Sequence, residues 1–313
     1  MTSLNEARSD PTYPAKNKTS IAVVFQALRV HQWPKNLFVF AALIFAQELG
    51  NPAQVFKSVV AFMVFCAASS AGYLLNDLVD LERDRLHPDK KKRPLPSGTL
   101  GIGHAVVMMA VLMGASLSVS IFVAPAFLGI VAFYLLLTFL YSLVLKQVII
   151  IDILVVAACF VVRAMAGAIA LNVAFSNWLV VCTLFLALFI GISKRRNEVE
   201  LLEGKEPDAH RQVLRHYSIP YLDHLSVIVT SGTLITYTIY TCSPDVVEKL
   251  GTDKLYLTLP FVIYGLFRYS YLVQYNDGGG DPAQTIVKDW RLVLTLVLYG
   301  VTCVAIIYGP ALL

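Results

Sequence analysis

Charge is scarce in this sequence: of 313 residues only 15% are Asp, Glu, Lys or Arg, whereas 57% are hydrophobic. With a mean hydropathy of +0.66, the average residue prefers hydrocarbon to water, which excludes a soluble domain and points to a polytopic membrane protein. The five cysteines (Cys66, Cys159, Cys182, Cys242 and Cys303) contain no CxxC pair and no neighbouring His. Zinc and iron–sulfur motifs are therefore absent, and the cysteines read as small packing residues. The opening MTSLNEARSDPTYPAKNKTS lacks an apolar core flanked by a cleavage site, so residues 1–20 are expected to be a flexible cytoplasmic tail, not a signal peptide. The six His residues form no dyad, and no nucleic-acid partner is expected.

What the chain has in quantity is long apolar runs. They fall at about 21–47, 55–80, 102–121, 123–143, 147–171, 177–193, 222–242, 255–275 and 291–312. Runs of about 20 residues select helices, because in lipid every backbone hydrogen bond must be made internally. The expected fold is all-α, with about nine transmembrane helices and a single transmembrane domain over 21–313. The first run carries Arg29, His31, Gln32, Trp33, Pro34 and Lys35, so part of it is expected at the interface. Residues 83–93 hold six Lys and Arg, and 194–215 hold another six; the opposite connections hold only Lys57, Lys249 and Lys254. Positive residues are retained on the cytoplasmic side, which places the N-terminus and both basic loops there, in the cell (inner) membrane.

That rule leaves acidic residues unexplained, and NDLVDLERDRLHPDKKKRPLPSG (76–98) follows directly on an apolar run. At about 100° per residue, Asn76, Asp77, Asp80 and Asp84 share one helix face about 100° wide. Three carboxylates there repel one another and lose hydration, so as bare architecture the cluster is destabilising. A divalent cation reverses that sign: oxygen ligands suit Mg²⁺, which completes its shell with water and substrate phosphate. The plainer alternative is a solvated helix end whose acids pair with Arg83, Arg85 and the lysines that follow.

The pattern Asn76-Asp77-x-x-Asp80-x-x-x-Asp84 resembles the NDxxDxxxD motif of the UbiA-type intramembrane prenyltransferase superfamily. The resemblance implies nine helices around a polar cavity that opens to the cytoplasm and to lipid. It also implies that the motif binds, through Mg²⁺, the diphosphate that leaves during transfer. Typical members carry a second aspartate-rich motif after helix six. Here that place reads GISKRRNEVELLEGKEPDAHRQ, with Lys194, Arg195, Arg196 and Glu198 immediately after the apolar run, a composition suited to phosphate oxygens. Further stretches (LRVHQWPKN, DRLHPDKKKRPLPSG, SKRRNE) are similar to one branch of the superfamily. That branch transfers 5-phosphoribose from phosphoribosyl diphosphate to a polyprenyl (decaprenyl-like) phosphate.

Carried onto this sequence, the resemblance implies Mg²⁺ on Asn76, Asp80 and Asp84, with Asp77 as ligand or close partner. Lys90 and Arg93 match its spaced basic positions for donor phosphates; Lys91 and Lys92 serve topology or touch anionic lipid. Lys35 and Arg29 meet a phosphate or anchor at the interface. Tyr141 and Lys146 are expected at the cytoplasmic end of one helix, with Lys146 on phosphate. Asp152 and Arg163 lie in an apolar run, separated by about 16 Å of helix rise, so each needs a partner elsewhere. Asp152 binds ribose or orients Lys146, while Arg163 is a substrate group or a structural pair. Lys194, Arg195 and Glu198 lie one turn apart, so Glu198 either fixes Arg195 or completes a metal or ribose contact. DGGGDP (277–282) reads as a flexible link. The competing readings are a prenyltransferase acting on an aromatic or other small acceptor, and a transporter, which would need inverted repeats that the chain does not display. Membrane lipid is the expected surroundings, and a homo-oligomer is left open.

Overall fold

The structure is a computed structural model that describes residues 20–87, 89–174, 176–200, 212–275 and 282–312. Every regular element among the described residues is helical. Helix α1 (Ile21–Ala27) starts where the Ser20 hydroxyl accepts the Ala22 N–H at 3.3 Å. The chain then breaks. Arg29 adopts a left-handed conformation (φ 50°, ψ 50°), and Val30–Phe40 winds as a 3₁₀ helix around Pro34 before a short α2 (Ala41–Phe45). Run 21–47 is therefore not one straight span: Pro34 lacks the N–H an α-helix requires and crowds the preceding turn.

Helix α3 (Pro52–Val79) is capped by Asn51, whose side chain accepts the Ala53 N–H, with Pro52 in the first turn where its missing donor costs nothing. A short α4 (Leu81–Leu86) follows. Then come α5 (Ile102–Val123), α6 (Pro125–Leu143), α7 (Ile151–Leu171), α8 (Asn177–Glu200), α9 (Ile219–Cys242), α10 (Pro244–Leu250), α11 (Leu259–Tyr275), α12 (Pro282–Lys288) and α13 (Trp290–Leu312). Seven of these, α3, α5 to α9 and α13, are long and apolar enough to cross a membrane. The expected ninefold count also included run 255–275, which divides into a 3₁₀ turn (Lys254–Thr258) and a 17-residue α11.

Helices α3 and α7 are the most buried of the seven and form the centre. Their contact surfaces are rich in Ala, Ser and Gly, the small residues that let backbones approach where lipid supplies no hydrophobic drive between helices. Gly167 is the extreme case: a Cβ there would lie 2.0 Å from the Val39 carbonyl oxygen of the 3₁₀ segment. Around this seam pack Val39, Phe65, Phe127, Val131 and Tyr134. A second core joins α7, α8, α9 and α11 through Ile153, Phe189, Ile192, Leu222 and Leu266. The outward faces of α5 and α6 expose Val107, Phe122 and Phe133, as lipid-facing helices do.

Helix α8 runs through Glu200, seven residues beyond the apolar stretch 177–193. The pairs Lys194–Glu198, Arg195–Glu198 and Arg196–Glu200 stand three or four apart and carry the helix onward. Lys194, Arg195 and Glu198 thus belong to the helix and not to the loop after it. Residues 1–19, 201–211 and 276–281 lie outside the described residues, and with them the N-terminal tail, most of the second basic loop and all but the last residue of DGGGDP.

Candidate functional site

The acidic end of α3 is buried. Asp77 and Asp84 are each 3% exposed and Asp80 is 8% exposed, so their charges need partners. The helix ends at Val79, and Asp80 (φ −94°, ψ 10°) forms the joint between α3 and α4. This joint splits the single acidic face expected of a continuous helix into two groups.

In one group, Arg93 Nη1 reaches both Asp77 Oδ1 (3.1 Å) and Asp84 Oδ2 (2.9 Å). Arg29 also pairs with Asp77, and Lys90 Nζ stands 3.7 Å from Asp84 Oδ1. Arg29 is aimed by its left-handed backbone and by the ring of Tyr73, 4.9 Å beneath the guanidinium, a favourable cation–π arrangement. Burial, followed by the neighbouring Arg29 charge, pulls the pKa of Arg93 down, against the pull of Asp77 and Asp84 upward. In the other group, Lys146 is 2% exposed and its Nζ meets Asp80 Oδ1 at 2.7 Å and Asn76 Oδ1 at 3.3 Å. The acids are therefore held by Arg29, Lys90, Arg93 and Lys146; Arg85 pairs with Glu82 instead.

The chain from 141 to 152 enters a third group. Asp152 is fully buried; its Oδ2 lies 2.7 Å from Arg195 Nε, and its Oδ1 accepts the Tyr217 hydroxyl at 2.8 Å. Arg195 also donates to the Tyr141 hydroxyl at 3.2 Å and pairs with Glu198. Tyr217 OH accepts the Ile150 N–H at 2.6 Å. Ile150 has φ 69° and ψ −44°, a strained conformation for a β-branched residue that turns the chain from Lys146 into α7. Burial, with the hydrogen bond to Asp152, raises the Tyr217 pKa, although the Ile150 N–H acts in the opposite direction.

Arg163 stands apart from all three. It donates from Nε to Asn36 Oδ1 (2.7 Å), from Nη1 to the Cys159 carbonyl (2.8 Å) and from Nη2 to the Tyr134 hydroxyl (2.7 Å). The Tyr134 ring lies 4.8 Å away. Lys35 sits half-buried on the 3₁₀ segment.

The structure brings Asn76, Asp77, Asp80, Asp84, Lys90, Arg93 and Lys146 together at one helix end, and gathers Tyr141, Asp152, Lys194, Arg195 and Glu198, expected at separate places, into a second cluster. Sequence reasoning did not single out Tyr217, Tyr73 or Asn36. Tyr217 is one of 15 tyrosines and carries no local signal. Asn36 closes the LRVHQWPKN stretch and is polar within an apolar run, but neither signal names Arg163 as its partner.

Mg²⁺ was expected on Asn76, Asp80 and Asp84. Among the described residues no group of three His, Cys, Asp or Glu side chains converges as a ready metal cluster. Instead Asn76 pairs off with Asp80 about Lys146, and Asp77 with Asp84 about Arg93. Each of those nitrogens marks a point where two side-chain oxygens meet. The donors are hard carboxylate and amide oxygens, the kind that suits a divalent cation sharing its shell with water and phosphate.

Residues 36–292 match the model of the UbiA prenyltransferase family. The chain is 30% identical to the decaprenyl-phosphate phosphoribosyltransferase of Mycolicibacterium smegmatis, over 98% of each chain. It is 31% identical to the Corynebacterium glutamicum protein of that name, over 90% of this chain and 85% of the other. Its fold is similar to that of a solved UbiA homologue from Archaeoglobus fulgidus bound to GPP and Mg²⁺, with a TM-score of 0.69, 16% identity, and coverage of 90% of this chain and 99% of that one. Seven membrane-length helices, the oxygen-rich end of α3 and a family match across most of its length place the chain in the UbiA prenyltransferase family.

Proposed function

We propose that this chain transfers the 5-phosphoribosyl group of phosphoribosyl diphosphate to a polyprenyl (decaprenyl-like) phosphate and releases diphosphate. The observation that carries this reading is the meeting of four cationic side chains, Arg29, Lys90, Arg93 and Lys146, with three buried carboxylates at one helix end. Such a site offers both an oxygen-ligand set and phosphate-binding cations, the two needs of a donor with a diphosphate leaving group and a further phosphate. The full-length likeness to decaprenyl-phosphate phosphoribosyltransferases supports the same choice.

Asn76, Asp80 and Asp84, with Asp77 beside them, would hold Mg²⁺, which when bound neutralises charge developing on the diphosphate. Lys90 and Arg93, each 30% exposed at the side chain, would turn from carboxylate to donor phosphate. Lys146, far less exposed, stays with Asp80 and fixes its orientation. The Asp152–Arg195 pair, with Tyr141, Lys194 and Glu198, faces ribose or the second phosphate. The bond from the anomeric carbon to diphosphate breaks as an oxygen of the polyprenyl phosphate bonds to that carbon. That nucleophile is already anionic at neutral pH, so no general base is required. In this reading residues 21–313 form one catalytic domain, and the broken first run and α11 complete nine spans. The N-terminus and active-site loops then lie in the cytoplasm.

The alternative, prenyl transfer to a small acceptor, is favoured by the GPP held by the Archaeoglobus fulgidus homologue. Against it stands the sequence after run 177–193, where Arg195 and its ion pair occupy the place of a second acidic motif. Purified protein, Mg²⁺, labelled phosphoribosyl diphosphate and a polyprenyl phosphate test the choice. Label entering lipid is expected; no lipid label, together with turnover of a prenyl diphosphate, would reverse it.

A further inference from the structure

Two polar side chains hold the wholly buried Asp152 carboxylate, and they hold it differently. Its Oδ2 lies 2.7 Å from Arg195 Nε, but that contact is an ion pair in which Oδ2 accepts no aligned hydrogen bond. Coulomb attraction depends on distance alone, whereas a hydrogen bond weakens steeply away from a straight line. Among the described residues, the Tyr217 hydroxyl, 2.8 Å from Oδ1, makes the one side-chain hydrogen bond that orients this carboxylate.

Tyr217 is built to keep that hydroxyl in place. Its ring is 4% exposed and stacks on the Tyr221 ring, with centroids 6.4 Å apart and planes at 18°. On one side the Tyr217 N–H donates to the Leu214 carbonyl at 3.2 Å. On the other, Ser218 caps α9. Val213, Leu214 and Tyr217 share a core with Ile153 of α7, so the ring is packed against the helix that carries Asp152. The proton is aimed as well. Because the Ile150 N–H donates to the Tyr217 oxygen at 2.6 Å, one lone pair is occupied and the phenolic proton is left to Asp152. Ile150 reaches that position only through its positive φ, a conformation that persists where surrounding contacts hold it.

What the carboxylate orients is Arg195. The guanidinium gives Nε to Asp152, Nη1 to Glu198 and Nη2 to the Tyr141 hydroxyl. Glu198 lies on the same helix, and Tyr141 is 3.2 Å away. At 2.7 Å, Asp152 is therefore the closer of the two partners that tie Arg195 to other helices.

We propose that Tyr217 is a positioning residue: its hydroxyl fixes Asp152, and through Asp152 the Arg195 guanidinium, in the orientation that receives the phosphoribosyl end of the donor. This assignment rests on the phosphoribosyl transfer proposed above. Tyr217 itself touches neither donor nor acceptor. The diphosphate end, served by Asp80, Asp84, Lys90 and Arg93, does not depend on it.

Tyr217→Phe tests this in the purified full chain with Mg²⁺, because it keeps the ring and removes only the O–H. Transfer of label from phosphoribosyl diphosphate to polyprenyl phosphate gives the donor KM, and inorganic diphosphate is added as an inhibitor of the same reaction. The donor KM should rise about tenfold, the scale of one hydrogen bond to a charged group, while inhibition by diphosphate and the acceptor KM hold. A merely structural role would instead lower the unfolding temperature and weaken donor and diphosphate alike. That result, or a donor KM equal to that of the unmodified protein, would overturn the assignment and leave the transfer reading standing. No transfer of label by the unmodified protein would overturn the transfer reading, and this assignment with it.

Discussion

Two regions of this molecule bury cationic side chains in different ways. At the end of α3 and α4, cations face carboxylates, and two of them, Lys90 and Arg93, keep 30% of their side chains exposed. At the centre of α7, Arg163 faces an amide oxygen, a carbonyl, a hydroxyl and a ring. On the proposed reading the first arrangement exchanges partners: a phosphate would replace a carboxylate as ligand of Arg93 and leave that carboxylate's oxygens to a divalent cation. The second is a rivet. Each direction of the guanidinium fork is taken by a neutral group, and the positive charge is spread over an aromatic face. Arg163 and Gly167 are four residues apart and meet Asn36 and Val39, three residues apart on the 3₁₀ segment. Together they clamp the segment that carries Arg29 to Asp77.

If the helix end is the reactive region, its substitutions should cost far more in chemistry than the stability lost when Lys146 or Arg93 gives up a carboxylate. Asp80→Ala or Asp84→Ala is expected to lower phosphoribosyl transfer at least about a hundredfold, the scale for losing one element of leaving-group stabilisation. Chelation of Mg²⁺ should do the same to the unmodified protein, while membrane insertion persists in all three. Mg²⁺-dependent turnover surviving either substitution would remove the metal assignment.

The rivet should respond in the opposite sense. Gly167→Ala forces a methyl group against the Val39 carbonyl, a backbone atom that cannot rotate away, and is expected to cost about 1–3 kcal/mol of stability. Gly232→Ala makes a useful contrast. Its added methyl meets the Phe185 ring, a side chain able to shift, so a smaller loss in thermal unfolding temperature is expected.

Arg163→Met keeps volume but leaves the Asn36 amide oxygen and the Tyr134 hydroxyl without their donor, a cost of about 1–3 kcal/mol for buried polar groups, lessened where they re-pair within the bundle. Donor KM should hold while the unfolding temperature falls. A large KM change with unaltered stability would move Arg163 from the rivet into the substrate site.

The same contrast explains what was legible in the sequence. Length and hydropathy carry the information for spans, so the seven long helices follow from the apolar runs. The first run misled because its break depends on two local events, Arg29 turning left-handed and Pro34 tightening the helix, which an average over apolarity does not register. The end of α8 misled for the reverse reason: charged residues ended the apolar run while their i,i+3 and i,i+4 pairs prolonged the helix. Asp77, Asp80 and Asp84 were visible because three acids near an apolar run are physically costly. Their division between Arg93 and Lys146 was not visible, because it follows from the joint at Asp80 and from Lys146 arriving 66 residues later. Asp152 and Arg163 announced that they needed partners, and Arg195, Tyr217, Asn36 and Tyr134 supply them, but the identity of a partner on another helix is tertiary information.

A third ion pair belongs to neither region and calibrates both. Arg268 Nη2 holds Asp289 Oδ2 at 2.7 Å, and Asp289 Oδ1 also accepts the Leu292 N–H at 2.9 Å. The hydrogen bond from Arg268 is the main cause of a depressed Asp289 pKa, below 3.8. A carboxylate with a depressed folded pKa stabilises the fold above its unfolded pKa and loses that contribution as pH falls through the folded value. Asp289→Asn is therefore expected to lower the unfolding temperature slightly near neutral pH, with the difference from the unmodified protein closing below pH 3.8. Because both side chains keep contact with solvent, 20% and 13% exposed, and the pair is screened by salt, this effect should be the smallest of the set, and transfer activity should be unchanged. An Asp289→Asn loss as large as that of Gly167→Ala would mean that near-surface pairing contributes as much as the central clamp, and would erase the distinction between exchangeable and fixed charge drawn from Arg93 and Arg163.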